Sequence, residues 1–344
     1  MQITINNILC HSINDIKKCT TTDVANFIEE YFNELPYVIA YTSGSTGVPK
    51  EIHLFKDDLK ASAQLTNDYF GLNEDSTFYL NLSPKYIAGK MMLVRAIIAN
   101  ANIIIEEPSN QPLSKYSGEK RISLGAFVPS QIKYLINNPE KLVLFDNIII
   151  GGGKIPNKIE RWLAEQGNRA FSTYGMTETC SHIALAPIST TTQPYTALGN
   201  ITFSIDNRNC LIIHAPHFHI KEIVTNDIVE LISPTQFVWC GRIDNVINTG
   251  GIKVFPETIE PIIGEFITNV RFFITSQPSE KWGEELILAL EYASLPDGIK
   301  KEGSIRPDFI EKLKTRLPSH AIPKHYIAVK KFKETTTGKI IREL

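Results

Sequence analysis

The alternation of short, apolar β-type runs with helix-patterned segments between residues 37 and 150 constrains this chain more than any other feature. Runs at 37–41, 77–81, 102–105, 124–128 and 147–150 have the length and composition of buried strands. Segments at 56–69, 88–99 and 130–137 between them carry helical spacing. Strand and helix in alternation predict an α/β sheet, whose ligand sites lie beyond the carboxyl ends of its strands. After about residue 186 the helical spacing fades, and alternating runs at 211–214, 228–232 and 237–240 predict a β-rich subdomain. From about 246 onward, helices at 256–266 and 306–317 with strands at 270–274 and 285–292 predict a small α+β domain. The expected organisation is therefore α/β: a large N-terminal domain over 1–243, with mixed α/β sheets plus the β-rich part, and a small C-terminal domain over 244–344. At 344 residues, 43% of them apolar, the chain is long enough for both.

Charge and cysteine usage narrow the functional classes. With 35 basic and 37 acidic residues the net charge is -2, so no basic surplus points to nucleic acid as a partner. No basic amino-terminal segment leads into an apolar core, and the most apolar windows are broken by Arg95, Asn100 and Asn102. Neither a signal peptide nor a membrane span is expected. Cys10, Cys19, Cys180, Cys210 and Cys240 are odd in number and form no Cys-x-x-Cys pair, which fits reduced thiols and a cytoplasmic location. His214, His217 and His219 cluster, but Pro216 interrupts them, and a polar loop or edge strand is favoured over a metal site.

The segment Tyr41-Thr-Ser-Gly-Ser-Thr-Gly-Val-Pro-Lys50 follows the first apolar run and packs hydroxyls, two glycines and a lysine into one loop. Glycines let a backbone close in on a ligand, while hydroxyls, exposed amides and an ammonium meet phosphate oxygens, so the loop suits a polyphosphate. It is not a Walker A loop, because Val48 and Pro49 separate Gly47 from Lys50. Taken alone, the segment also reads as an ordinary polar turn.

Four more motifs follow in order. Gly151-Gly-Gly-Lys-Ile-Pro156 comes directly after a predicted strand, and Ser172-Thr-Tyr-Gly-Met-Thr-Glu178 lies downstream. Thr225-Asn-Asp227 then precedes Cys240-Gly-Arg-Ile-Asp-Asn245, and Thr337-Gly-Lys-Ile-Ile-Arg342 stands almost at the end. Together with the first loop they make the chain, from about residue 37 onward, resemble the adenylate-forming superfamily of acyl-CoA synthetases, peptide synthetase adenylation domains and luciferases. Each motif alone has a bland reading: Lys339 as a solvated lysine, Glu178 as a helix-start carboxylate, Arg242 with Asp244 as a surface pair. The ordered set carries the resemblance.

The resemblance implies an acid–thiol ligase that uses ATP, Mg2+ and coenzyme A. By it, Thr42, Ser43, Gly44, Ser45, Thr46, Gly47 and Lys50 hold the triphosphate. Gly151, Gly152 and Gly153 lay backbone against the adenine, with the Tyr174 ring on its other face. Thr177 bonds the α-phosphate, Glu178 holds the metal, and Asp227, assisted by Arg242, accepts from the ribose hydroxyls. Lys339 reaches in from the small domain towards the α-phosphorus, where charge crowds as the substrate carboxylate expels pyrophosphate. The small domain then swings about a hinge at Asp244 to admit the thiol, with Gly250 and Gly251 lining the pantetheine path.

For the acid, Ser83-Pro-Lys-Tyr-Ile-Ala-Gly-Lys-Met-Met-Leu-Val-Arg95 resembles the acid-binding region of the o-succinylbenzoate-CoA ligases of menaquinone synthesis. Arg95 is the clue, because a second carboxylate needs a cation once desolvated; its other reading is a helix-surface arginine. Lys85 and Tyr86 belong to the same region, with Tyr86 where the family usually has a gate histidine. Asn226 replaces the glycine usual before the ribose-binding aspartate and can adopt the same left-handed backbone. Only 41 residues precede Thr42, so much of the family's usual amino-terminal subdomain is expected to be missing, which leaves room for a homodimer. The alternatives carried forward are a ligase for another aromatic or aliphatic acid and a non-catalytic nucleotide-binding protein.

Overall fold

The structure, a computed structural model, describes residues 2–42, 50–167, 169–267, 270–295, 300–334 and 340–344. The strands Thr77–Leu80, Asn102–Ile105, Ile122–Phe127 and Phe145–Ile150 are rich in Ile, Leu and Phe, and both their faces are covered. They pair in parallel, as strands apolar on both faces do. Side chains alternate between two cores: Phe78 and Leu80 join one, Tyr79 the other. Helix Ile87–Ala99 lies in the first core, buried over Gly89–Ala96, and packs against Lys56–Phe70. The second core holds Ile132 and Leu135 of Pro129–Ile136 and Ile159 and Leu163 of Asn157–Glu165. The result is a helix–sheet–helix stack around a mixed sheet.

Among the described residues that sheet has thirteen strands. From one edge it runs Ile8–Cys10, Ile3–Ile5, Asn102–Ile105, Thr77–Leu80, Ile122–Phe127, Phe145–Ile150 and Arg169–Met176. It continues, antiparallel, through Ser181–Pro187, Tyr195–Ala197, Gln236–Arg242, Glu222–Ser233, Cys210–His214 and Thr202–Ile205. The β-rich part expected after residue 186 is present: its strands extend the same sheet while packing their own core around Phe203, Phe218 and Phe237. One expectation is corrected here. The run at 37–41 is not a strand of the large sheet, because Tyr37–Thr42 pairs antiparallel with Lys50–Phe55 as a two-stranded hairpin. The polar loop therefore closes a hairpin instead of following a parallel strand.

Among the described residues a six-stranded sheet forms after Arg242: Ile252–Val254, Ile247–Thr249, Gly283–Glu291, His325–Val329 and Lys301–Ser304, with Phe272–Ser279 also paired to Gly283–Glu291. Helices Pro256–Ile263 and Pro307–Lys314 cover it, around Ile259, Ile263, Leu288 and Leu313. Polar contacts join this unit to the large one. The Lys154 ammonium donates to the Glu257 carbonyl, Asn157 Nδ2 donates to Glu265 Oε1 at 3.2 Å, and Arg161 pairs with the same carboxylate.

Candidate functional site

Ser43, Gly44, Ser45, Thr46, Gly47 and Lys339 lie outside the described residues, as does the side chain of Thr42. The flanks of the first loop are described: Thr42 and Lys50 are register partners at the loop end of the hairpin. That hairpin packs beside the 3-10 turn Thr177–Thr179. The remaining predicted residues converge from neighbouring strands. Ile150 is paired with Ser172, so Gly151–Gly153 and Tyr174 leave adjacent parallel strands at the same, carboxyl, end. Thr177 and Glu178 follow at once in the turn, both half-buried. Thr179 fixes that turn with a buried hydroxyl bonded to Met176 and Ser181 carbonyls. Gly175 permits the close approach: a Cβ there would lie 2.1 Å from the Ser181 carbonyl oxygen.

Asp227 and Arg242 are cross-strand partners on Glu222–Ser233 and Gln236–Arg242. The Asp227 carboxylate accepts from the Tyr174 hydroxyl at 2.7 Å and from Trp239 Nε1 at 3.3 Å, with Arg242 3.8 Å away. Each of its oxygens keeps a lone pair for a further donor such as a ribose hydroxyl. Burial first, then the facing carboxylate, pushes the Tyr174 phenol well above its usual range, so it remains a donor. Arg242 also grips Asp244 at 2.7 Å, and Asn226 Nδ2 reaches Asp244 at 3.4 Å. Asp244 thus sits in the turn Ile243–Asn245 between the two sheets.

Arg95 is not a surface arginine. Its side chain is 1% exposed, between the two packed helices and the strand Ser181–Pro187. Nη2 donates to Ser181 Oγ at 2.8 Å and to His182 Nδ1 at 3.4 Å, and Nη1 meets Met92 Sδ at 3.5 Å. Because the guanidinium can only donate, His182 Nδ1 must accept; the ring proton then sits on Nε2, 3.1 Å from Thr66 Oγ1. Burial, then the Arg95 charge, holds His182 well below the usual histidine range, so the ring is neutral. No carboxylate answers the Arg95 charge among the described residues, and its Nε, Ser62 Oγ and Asn67 Oδ1 are buried without partners. Burial draws its pKa down to about 9, which still leaves a cation at neutral pH.

The other acid-region residues are placed differently. Lys85 pairs with Asp23 at 3.1 Å on the surface, and Tyr86 stands, 46% exposed, at the entry to the helix bearing Arg95. Gly250 and Gly251 form a turn in the small sheet, Gly250 donating to the Trp282 carbonyl at 2.8 Å. Sequence reasoning missed Ser181, His182, Thr66 and Trp239. The first two come three and four residues after Glu178, and a Ser-His pair at the start of an apolar strand was the available signal. Thr66 and Trp239 are joined to the site only by the fold.

A family model described as AMP-binding enzyme matches residues 21–216. The 2-succinylbenzoate–CoA ligase of Listeria monocytogenes is 25% identical, over 88% of this chain and 68% of its own length. Thus the chain spans about two thirds of that relative. Among solved structures, an acyl-CoA synthetase (AMP-forming)/AMP-acid ligase II-like protein from Dyadobacter fermentans is 28% identical, with a TM-score of 0.61, over 93% of this chain and 91% of its own. The o-succinylbenzoate CoA synthetase of Bacillus subtilis, in complex with its acyl-adenylate intermediate, shares the fold with a TM-score of 0.74 at 19% identity, over 88% of this chain and 67% of its own.

Proposed function

Because the chain belongs to the AMP-binding enzyme family, we propose that it is an ATP-dependent acid–coenzyme A ligase acting on a dicarboxylic aromatic acid of the o-succinylbenzoate type. The single observation that carries the substrate reading is the buried Arg95, which no carboxylate answers among the described residues. A desolvated cation with an orphaned N–H is costly unless an anion arrives to pair with it. It lies at Ser181, three residues past Glu178, so one carboxylate of a diacid can pair there while the other points back towards the Thr177–Glu178 turn. Relatives named as succinylbenzoate ligases support the same class.

In the first step one carboxylate oxygen attacks the α-phosphorus, the bond to the bridging oxygen breaks, and pyrophosphate leaves. In this reading Thr177 orients the α-phosphate, the loop 42–50 holds the departing phosphates, and Asp227 holds the ribose. Lys339 supplies positive charge as negative charge accumulates, a contribution of electrostatic type. Magnesium fits the residues present, because Glu178 and the Thr177 hydroxyl offer hard oxygen donors and the phosphates would supply the rest. When bound it would neutralise phosphate charge. In the second step the coenzyme A thiol, having lost its proton, attacks the acyl carbon and AMP departs, with rotation about Asp244 opening the path past Gly250 and Gly251.

The test is product analysis by mass spectrometry with Mg-ATP, coenzyme A and o-succinylbenzoate, with benzoate and a medium-chain fatty acid in parallel. AMP and thioester with the diacid alone are expected. Turnover of the monoacids only would overturn the diacid reading, and no AMP from any acid would sink the ligase reading for this class of substrate. Arg95→Ala should raise KM for the diacid about 10- to 100-fold, the loss of one charge-assisted pair, while KM for ATP stays unchanged.

A further inference from the structure

We propose that Cys10 and Cys19 form a reversible thiol–disulfide modification site at the edge of the large sheet, with Cys19 as the attacking and Cys10 as the resolving thiol. Cys10 ends the strand Ile8–Cys10, and Cys19 is the last residue of the helix Ile13–Cys19. Between them the Ser12 capping box holds the helix start: Asp15 N donates to Ser12 Oγ at 3.2 Å and Ser12 N to Asp15 Oδ2 at 3.0 Å. That short, braced connection brings the sulfurs to 3.8 Å of each other, although both cysteines are reduced. A shift of under about 2 Å, within the reach of a side-chain rotation, would bring them to bonding distance. The other cysteines have no such neighbour within hydrogen-bonding contact among the described residues.

The two sulfurs differ in access. Cys10 is fully buried, and its thiol is pushed up to about 11, by burial first and then by Cys19 beside it. Cys19 is half-buried and lines a cleft of about 550 Å³ together with Lys18, Thr20 and Lys115. A small oxidant therefore meets Cys19 first. With a peroxide, the Cys19 thiolate attacks one oxygen, the O–O bond breaks, and Cys19 becomes a sulfenic acid as one water equivalent leaves. The Cys10 sulfur then attacks the Cys19 sulfur, the S–O bond breaks and a second water departs. Two thiols and one peroxide thus give one disulfide and two waters. In a reducing compartment such a bond would be transient, as redox-sensing disulfides are.

The test treats the native full-length protein with stoichiometric hydrogen peroxide, followed by alkylation, digestion and mass spectrometry. The expected result is a peptide pair linked through Cys10 and Cys19, lighter by two hydrogens and restored by dithiothreitol. Cys10→Ser should leave Cys19 as a sulfenic acid trapped by dimedone, whereas Cys19→Ser should leave Cys10 unreacted. Because Cys10 is buried, so that its substitution disturbs the packing of the corner, the half-exposed Cys19→Ser arm decides independently. Cys10 reacting equally well in Cys19→Ser, or a linked peptide forming only in denaturant, would overturn the proposal.

Discussion

At the scale of single residues, the buried pair of Arg95 and His182 brings two desolvated titratable groups together with no facing carboxylate among the described residues. His182 stays neutral in the folded chain but takes up a proton near the ordinary histidine value of 6.5 when unfolded. Below that pH the unfolded state binds more protons than the folded one, so stability falls as the solution is acidified. One such histidine costs about 1.4 kcal/mol per pH unit below 6.5. Urea titrations of His182→Gln from pH 7 to 5 should show that slope reduced by about one proton; an unchanged slope would mean the histidine protonates in place. The identity of Arg95 was legible in the sequence, as a cation in an apolar stretch, but its surroundings were not. Its partners Ser181 and His182 stand 86 and 87 residues away, and nothing local distinguishes a buried helical arginine from an exposed one.

At the scale of elements, backbones approach closely where strand Arg169–Met176 turns back into Ser181–Pro187. A methyl at Gly175 would collide with backbone at Ser181 and His182, which cannot rotate away, whereas at Gly153 nothing lies within 4 Å of one. Gly175→Ala should therefore cost about 2–3 kcal/mol in denaturant melts and abolish turnover, as overpacking against fixed atoms does. Gly153→Ala should stay within about 0.5 kcal/mol of wild type yet raise KM for ATP if backbone there lies against the adenine, as the family resemblance implies. A Gly175→Ala protein of normal stability would remove the steric argument. The parallel strands were readable because apolar runs of four to six residues bounded by helical spacing have few other interpretations. The hairpin was not, because Lys50-Glu-Ile-His-Leu-Phe55 alternates as an edge strand does, and its polar residues merged with the polar loop before it. The antiparallel extension was readable as strands but not as part of the same sheet, since sheet order is a property of pairing between distant segments.

For the whole molecule, the two units meet through polar groups. Glu265 is shared by Asn157 and Arg161 from the large unit and by Arg316, at 2.9 Å, from its own. Against the opposing effect of desolvation, the hydrogen bond from Asn157 first, then Arg316 and Arg161, hold the Glu265 carboxyl below its usual range. Exposed pairs of this kind contribute little each and are screened by salt, which suits a contact that parts during turnover on the proposed reading. Glu265→Ala should leave Tm nearly unchanged but shift the ratio of the adenylation and thioester-forming rates, measured separately in single-turnover experiments, by about 2- to 5-fold. An unaltered ratio would show that this contact does not bias the rotation. The large sheet has the opposite character. Going from the strand that carries Ser181, which meets Arg95, to the strand that carries Asp227 takes three strand steps, about 14 Å as followed along the sheet at the usual spacing, and the sheet bends enough over that course for Tyr174, one strand further, to reach Asp227. On the proposed reading the acyl-adenylate stretches between those two anchors. The sheet then serves as a gauge block, and the permitted length of a ligand is graduated in strand widths instead of being left to the play of loops.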